Sequence, residues 1–391
     1  MKKVWMILLF LVFVLVGCIE PPVPDIAQTI QDADPNVVVG MDTASTDFYF
    51  NTATPVVTSD TRGLVVERLS NRADIEYAEM SLVRMASDFF DSDLHFREGQ
   101  YLSRDLVIEL LRLATDDTSM LAFESAIGLN PPIGTPVNYG DFTAMSVVGE
   151  GDLVRPLVYL LEQNFSSINA DNEFELEGVA IAVALNPYFW DIDRSIGHQQ
   201  IRRMTDAQIF EVGQDIVARL LPQVRRQPGL EEVPLLFGLF IMQADTEILP
   251  GAFSHLTFVD EGRNSIAQWQ EVHEHHFSLP DATNRLQQYD FNIINEFNAF
   301  STNVINHFPH QHSLLARAHV VEQQVYRLHL TFNMSFGGAA EKIAFHHFLE
   351  TEVMNFSPHY DVRITIRDLN HIHGAIIRLP HEPPVVHRLS W

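Results

Sequence analysis

The chain has 391 residues, 46% of them hydrophobic, with a formal net charge of −26. That length supports two or three domains with cores of their own, while so acidic a surface repels nucleic acid and anionic headgroups and so excludes a polyanion binder. The single cysteine, Cys18, leaves no disulfide framework and no thiol nucleophile for the folded body.

The first predicted element is a leader over residues 1–17. Lys2 and Lys3 open it, an apolar run from Trp5 follows, and Gly17 supplies the small residue before the cut. This pattern reads as a secretory signal, too short to remain as a spanning helix. Leu15-Val16-Gly17-Cys18 resembles the lipobox of bacterial lipoproteins. The resemblance implies thioether lipidation of Cys18, cleavage before it and acylation of the new amino terminus. Two or more acyl chains anchor stably, so the expected location is the outer face of the cytoplasmic membrane. The membrane is the expected partner, together with an envelope ligand or protein; nucleic acid is not. Removing Lys2 and Lys3 takes the charge from −26 to −28 and leaves Lys342 as the sole lysine. That depletion fits a salty or alkaline exterior, where Arg keeps its charge and Lys begins to lose it.

Residues 18–60 form a lipidated N-terminus and tether, marked by Pro21, Pro22 and Pro24. A helical N-terminal part is expected over 61–175. It would comprise a helix from Glu67 to Phe90, a second opened by Ser103 as N-cap, and a third from Asp152 to Phe165, with a long Pro/Gly loop over 128–152. A first α+β unit spans 176–282. Gly178 to Pro187 (GVAIAVALNP) reads as a buried strand, Thr205 caps a helix running to about Arg226, and Val233 to Met242 is another strand. The same order returns in 283–391. A long bridging helix, Thr283 to Phe308, is followed by a strand at Val325 to Met334, a helix at Glu341 to Phe356 and strands at Tyr360 to Arg367 and Gly374 to Leu379. The predicted fold class is α+β, with two related β-loop-α-β units whose helices pack on sheets.

The chain resembles the CamS sex-pheromone lipoprotein family of Gram-positive bacteria. The resemblance rests on anchors in order: Arg62-Gly63-Leu64; DLHFREGQYLS at 93–103; Gly128-Leu129-Asn130-Pro131; 159–190; Pro234 to Gln243; LPGAF at 249–253; Trp269; the stretch from Arg285 to Phe308; and DVRITIR through VVHRLSW at the end. It implies a surface lipoprotein whose signal segment is trimmed to a short hydrophobic peptide, which acts in some members as a conjugation pheromone. The corresponding residues are Leu11 to Gly17. Phe13 and Leu15 match the apolar centre, whereas Leu11 departs from the usual alanine and Gly17 closes the peptide. The resemblance carries over no settled biochemical activity to the mature domain.

Candidate chemistry is sparse. Of 18 histidines, 16 fall at or after His255. The weak metal candidates are His273, His275, His276, His310 and His312. Glu274 lies among them, but His273-Glu274-His275-His276 lacks the four-residue spacing that puts two histidines on one helix face. The histidines are read as replacements for exposed lysine, and no metal or other cofactor is expected. There is no GxSxG elbow and no phosphate loop. Tyr188, Phe189 and Trp190 follow a predicted strand, and with Trp269 they are the ligand-binding candidates. A non-enzymatic binding or interaction role at the envelope is the favoured reading, with no catalytic residue assigned. The runner-up is an envelope hydrolase or modifying enzyme using Asp, Glu and His near 188–198.

Overall fold

Two sheets with the same sequence of strand directions organise the chain. The computed structural model describes residues 49–64, 72–115, 121–139, 142–145, 155–193, 198–244, 249–281, 285–309, 312–334, 338–368 and 371–388. The leader, residues 18–48 with Cys18, and His310 lie outside the described residues; residues 49–60, expected as the end of the tether, instead join the folded body, with Phe50 and Ala53 buried and Asn51 and Thr52 paired with His95 and Phe96.

In chain order the strands are β1 (Asn51–Thr52), β2 (His95–Glu98), β3 (Leu113–Ala114), β4 (Glu124–Ser125), β5 (Pro136–Tyr139), β6 (Phe142–Met145), β7 (Leu157–Ile168), β8 (Phe174–Leu185), β9 (Tyr188–Asp193), β10 (His198–Arg203), β11 (Leu235–Ile241), β12 (Ala252–Val259), β13 (Gln270–Glu271), β14 (Glu274–Leu279), β15 (His312–Val321), β16 (Gln324–Met334), β17 (Asp361–Arg367), β18 (Ile372–Arg378) and β19 (Val385–Arg388). The helices are α1 (Arg72–Ala86), α2 (Arg104–Leu110), α3 (Asp206–Val224), α4 (Ile293–His307) and α5 (Ala339–Glu352). Among the described residues, no helix is long and apolar enough to cross a membrane.

The first sheet runs β1-β2-β7-β8-β11-β12-β13 and the second β14-β15-β16-β17-β18-β19. In the first, β8 and β11 are parallel while β2–β7, β7–β8, β11–β12 and β12–β13 are antiparallel. In the second, β16 and β17 are parallel while β14–β15, β15–β16, β17–β18 and β18–β19 are antiparallel. The two central parallel pairs are joined through a helix, α3 for β8–β11 and α5 for β16–β17, as a parallel connection requires; β1 adds a further parallel strand beside β2 at the edge of the first sheet. The α+β class therefore holds, and the β-α-β order recurs at the level of sheet topology.

α3 forms where the pattern predicts it. Thr205 and Gln208 make a reciprocal capping box, and Ile209, Gly213, Ile216, Val217, Leu220, Leu221 and Val224 bury one face. Ser103 caps α2 by accepting from the Leu106 N–H. The first core continues through Phe50, Phe165, Phe237 and Phe253; the second is built on Phe300, Phe332, Phe345 and Ile364.

Three expectations fail. Residues 157–168 are a strand, not a helix. Leu157, Tyr159, Leu160 and Phe165 are buried, but so are Glu162, Gln163, Asn164 and Ser166. Three of them are tied to distant backbone: Glu162 accepts from the N–H groups of Gln100, Tyr101 and Leu102, Asn164 accepts from the Gln100 N–H, and Gln163 donates to the Glu79 carbonyl, while Gln163 Oε1 and Ser166 Oγ have no hydrogen-bond partner among the described residues. The N-terminal part is accordingly mixed, with β2 and β7 in the first sheet. The bridging helix is broken: a 3-10 turn at Leu286–Gln288 precedes α4, with Asp290 accepting from the Asn292 N–H between them. The long loop contains the β5–β6 hairpin.

Gly178 marks a close approach of strand and ring. A Cβ there would stand 2.2 Å from Phe90 Cε1. Phe90 is stacked on Phe165, itself packed on Phe50, and lies edge-on to Phe258, so the ring has nowhere to swing. Gly178→Ala is expected to lower stability by about 1–3 kcal/mol through overpacking. Urea unfolding checks this, and an unchanged midpoint would show that the ring can yield.

Candidate functional site at the junction of the sheets

The chain passes from the last strand of the first sheet to the first strand of the second through Val272 and His273 alone. Strand alternation from there puts Glu274 and His276 on one face of β14 and His275 on the other. Antiparallel pairing sets His276 directly opposite His319 of β15. Their rings stack, with centroids 4.4 Å apart and planes 23° apart. Tyr77 of α1 meets both rings edge-on, and Tyr326 meets His319 edge-on.

Glu274 is the centre of the arrangement and only 3% exposed. Its Oε1 lies 2.6 Å from His319 Nε2 and accepts from Ser81 Oγ and Arg84 Nη2, both at 3.1 Å. Its Oε2 accepts from the Phe253 N–H at 3.4 Å. One carboxylate thus joins α1, β12 and β15. Burial alone would raise its pKa, but the His319 hydrogen bond and the charges of His319 and Arg84 outweigh burial and hold it at about 2. Burial pushes His276 well below the usual imidazole range, helped by the charge of His319. At neutral pH the carboxyl is ionised and His276 is neutral. His276 Nε2 is shut off from solvent and, among the described residues, has no hydrogen-bond partner. Ligand atoms of Glu274, His276 and His319 all lie within 4.8 Å of one another, so this is the set that could hold a metal.

A cleft of about 570 Å³ opens beside this cluster, walled by the start of α3, the ends of β11 and β12, and β14. Its size suits a small ligand. Arg203, Asp206, Gln243, His255, Glu271 and Arg285 give it polar walls of both signs, and Glu274 and His276 reach it as well. A second cavity, about 490 Å³, lies between α3 and residues 129–135 and brings together Glu211, Asp215 and Arg219 but no histidine.

The residues singled out from sequence scatter around the cleft. Tyr188 borders it indirectly: its hydroxyl donates to Gln243 Oε1 at 3.0 Å, and the Arg203 guanidinium lies 5.9 Å from its ring. Phe189 and Trp190 sit on β9 opposite Arg202 and Ile201. Trp269 is not in the cleft wall; it meets Phe210 edge-on, and Phe210 stacks on His255, which is. His273 lies 3.8 Å from Glu271. His275 packs beside Tyr289 and Phe277, where burial lowers its pKa, with Arg285 and His273 adding to the effect. His312 opens β15 at its far end from His319. Among the described residues, His276 is the metal candidate that enters the cluster. The reading of histidines as exposed lysine replacements fails at His319 and His346, which are buried.

His319 was not legible as a partner, because the strand register that brings it to His276 is set across a gap holding α4. The available signal was the alternation of Glu274 and His276 followed by a later strand with a histidine among apolar residues. Of the stretch 188–198, residues 194–197 lie outside the described residues, and the backbone register places Asp193 opposite His198. No Ser–His–acid relay forms at the Glu274 cluster: the Ser81 hydroxyl donates to the carboxylate rather than to an imidazole.

A family model described as CamS sex pheromone cAM373 precursor matches residues 56–383. No curated protein matches the chain. Among solved structures, the sex pheromone precursor from Lactobacillus salivarius subsp. salivarius UCC118 is similar at 19% identity and a TM-score of 0.71, covering 85% of this chain and 93% of that one. The C-terminal domain of the sex pheromone staph-cAM373 precursor from Staphylococcus aureus is similar at 20% identity and a TM-score of 0.65, covering 82% of this chain and 98% of that one. At these identities the two structures speak for the fold.

Proposed function

Because the chain belongs to the family of CamS sex pheromone cAM373 precursors, we propose that it is a lipid-anchored protein of the cell envelope whose ectodomain binds a ligand in the cleft between its two sheets, without catalysis. Its signal segment, Leu11 to Gly17, is the proposed source of a short hydrophobic pheromone-like peptide. The cleft beside Glu274 carries the binding reading. Its volume suits a small ligand, and its walls offer donors and acceptors of both signs. The carboxylate at its floor is engaged by four donors and held ionised, which suits a structural anchor better than a general acid. Anchoring rests on Leu15-Val16-Gly17-Cys18 behind a basic, apolar leader.

The expected result for Cys18→Ala is loss of radiolabelled palmitate from the protein and failure of signal cleavage at that position. Label retained by the variant would sink the anchoring reading. For the cleft, native mass spectrometry of the chain extracted from its own envelope should show a retained small mass. Ser254→Tyr, which places a ring in the cleft wall, should lose that mass. A bare chain in both samples would count against a bound envelope ligand.

A further inference from the structure

We propose that Glu274, His276 and His319 bind one zinc-class divalent ion at the junction of the sheets. Three donors of the kinds such an ion prefers, two imidazoles and a carboxylate, converge within 4.8 Å from adjacent antiparallel strands. The cross-strand register makes the pairing of His276 with His319 a property of the sheet and not of mobile side chains. His276 Nε2 is the second observation. A buried ring nitrogen without a hydrogen-bond partner is costly, and among the described residues nothing satisfies it. A cation beside it would.

Binding requires a small rearrangement. His319 Nε2 and Glu274 Oε1 are at hydrogen-bond distance, 2.6 Å. An ion with bonds of about 2.0–2.2 Å must part them, and the proton between them must leave the Nε2–Oε1 line. It moves to His319 Nδ1 if the imidazole is neutral, and to solvent if it is an imidazolium. Glu274 and His276 both line the cleft, which places the site directly beside it. Two guanidinium groups oppose a dication here. Arg84 donates to the same Oε1 at 3.1 Å, and the charge of Arg317 acts on His276. Arg84 is therefore a brake on affinity, and removing its charge should tighten binding. The ion site stands independently of anchoring and of whatever the cleft takes up.

The test titrates Co²⁺ and Zn²⁺ into the full-length chain in detergent after chelator treatment, read by cobalt visible absorption and by calorimetry. One saturating site is expected. His276→Phe keeps the ring contacts with Tyr77 and His319 and should abolish the site without unfolding the chain, as a thermal melt will show. Arg84→Met, which removes a positive charge next to the dication, should tighten binding by on the order of tenfold. The exposed pair His359 and His381, with ring nitrogens 3.1 Å apart, is the competing surface site, and His359→Ala with His381→Ala should leave the signal intact. The proposal is overturned by an absence of saturable binding, by a signal that survives His276→Phe or disappears with the surface pair, or by an Arg84→Met variant that binds no tighter.

Discussion

Glu274→Ala is expected to remove roughly 3–5 kcal/mol of folding stability, the range for breaking a buried ion pair from one side. The magnitude follows from what is left behind. The Arg84 guanidinium and the His319 imidazole would face a cavity, Ser81 Oγ would lose its acceptor, and the Phe253 N–H would lose its own. All of these groups lie at the contact between the first sheet, with α1 above it, and the second. Glu274→Gln should lose less, because the amide oxygen still accepts while the charge is gone. Urea unfolding followed by tryptophan fluorescence measures both variants. A loss below about 1 kcal/mol for the alanine variant would place the contact with ordinary solvated pairs.

Acidification from pH 7.5 to pH 5 is expected to destabilise the protein by several kcal/mol, with His329 as a leading contributor. Burial lowers its pKa to about 4, and the charges of Arg317, Arg327 and Arg363 add to the effect. The folded pKa lies below the unfolded value of about 6.5. The unfolded chain therefore takes up a proton that the folded chain refuses, and stability is lost as pH falls from about 7 towards 4. His329 alone accounts for about 2 kcal/mol at pH 5. His276, His255, His275 and His346 are shifted in the same direction, burial being the leading cause at each. Glu274 adds a second, lower window: its depressed pKa gives stability that is full above about 4.5 and lost as pH falls towards 2. Melting temperatures across pH should fall steeply below 7, and His329→Gln should flatten that slope while changing little at pH 8. A flat profile between pH 7.5 and pH 5 would refute the assignment. Above pH 7.5 these imidazoles carry no such penalty.

Much of the scaffold was legible because local signals agreed with tertiary demands. Thr205 and Gln208 wrote a capping box before an amphipathic run, and α3 formed there. The apolar runs at 178–187 and 233–242 became the adjacent parallel strands β8 and β11, buried on both faces as such strands are. The stretch 157–168 misled because its buried polar residues, Glu162, Gln163 and Asn164, break the strand alternation. What satisfies them is partly the backbone of residues 100–102 and of Glu79, which no local window contains. The candidate site was half legible. Glu274 and His276 alternate within one short run, but Ser81, Arg84 and His319 join them only through folding.

The bonds at Glu274 also bear on the order in which the chain can be completed. They reach back 193 residues to Ser81 and 190 to Arg84, and forward 45 to His319. Closures of such span form late and slow the approach to the native state. During synthesis the helix carrying Arg84 emerges long before the carboxylate that neutralises it. A fragment ending before residue 274 would keep that guanidinium facing water, whatever the state of the strands beneath it.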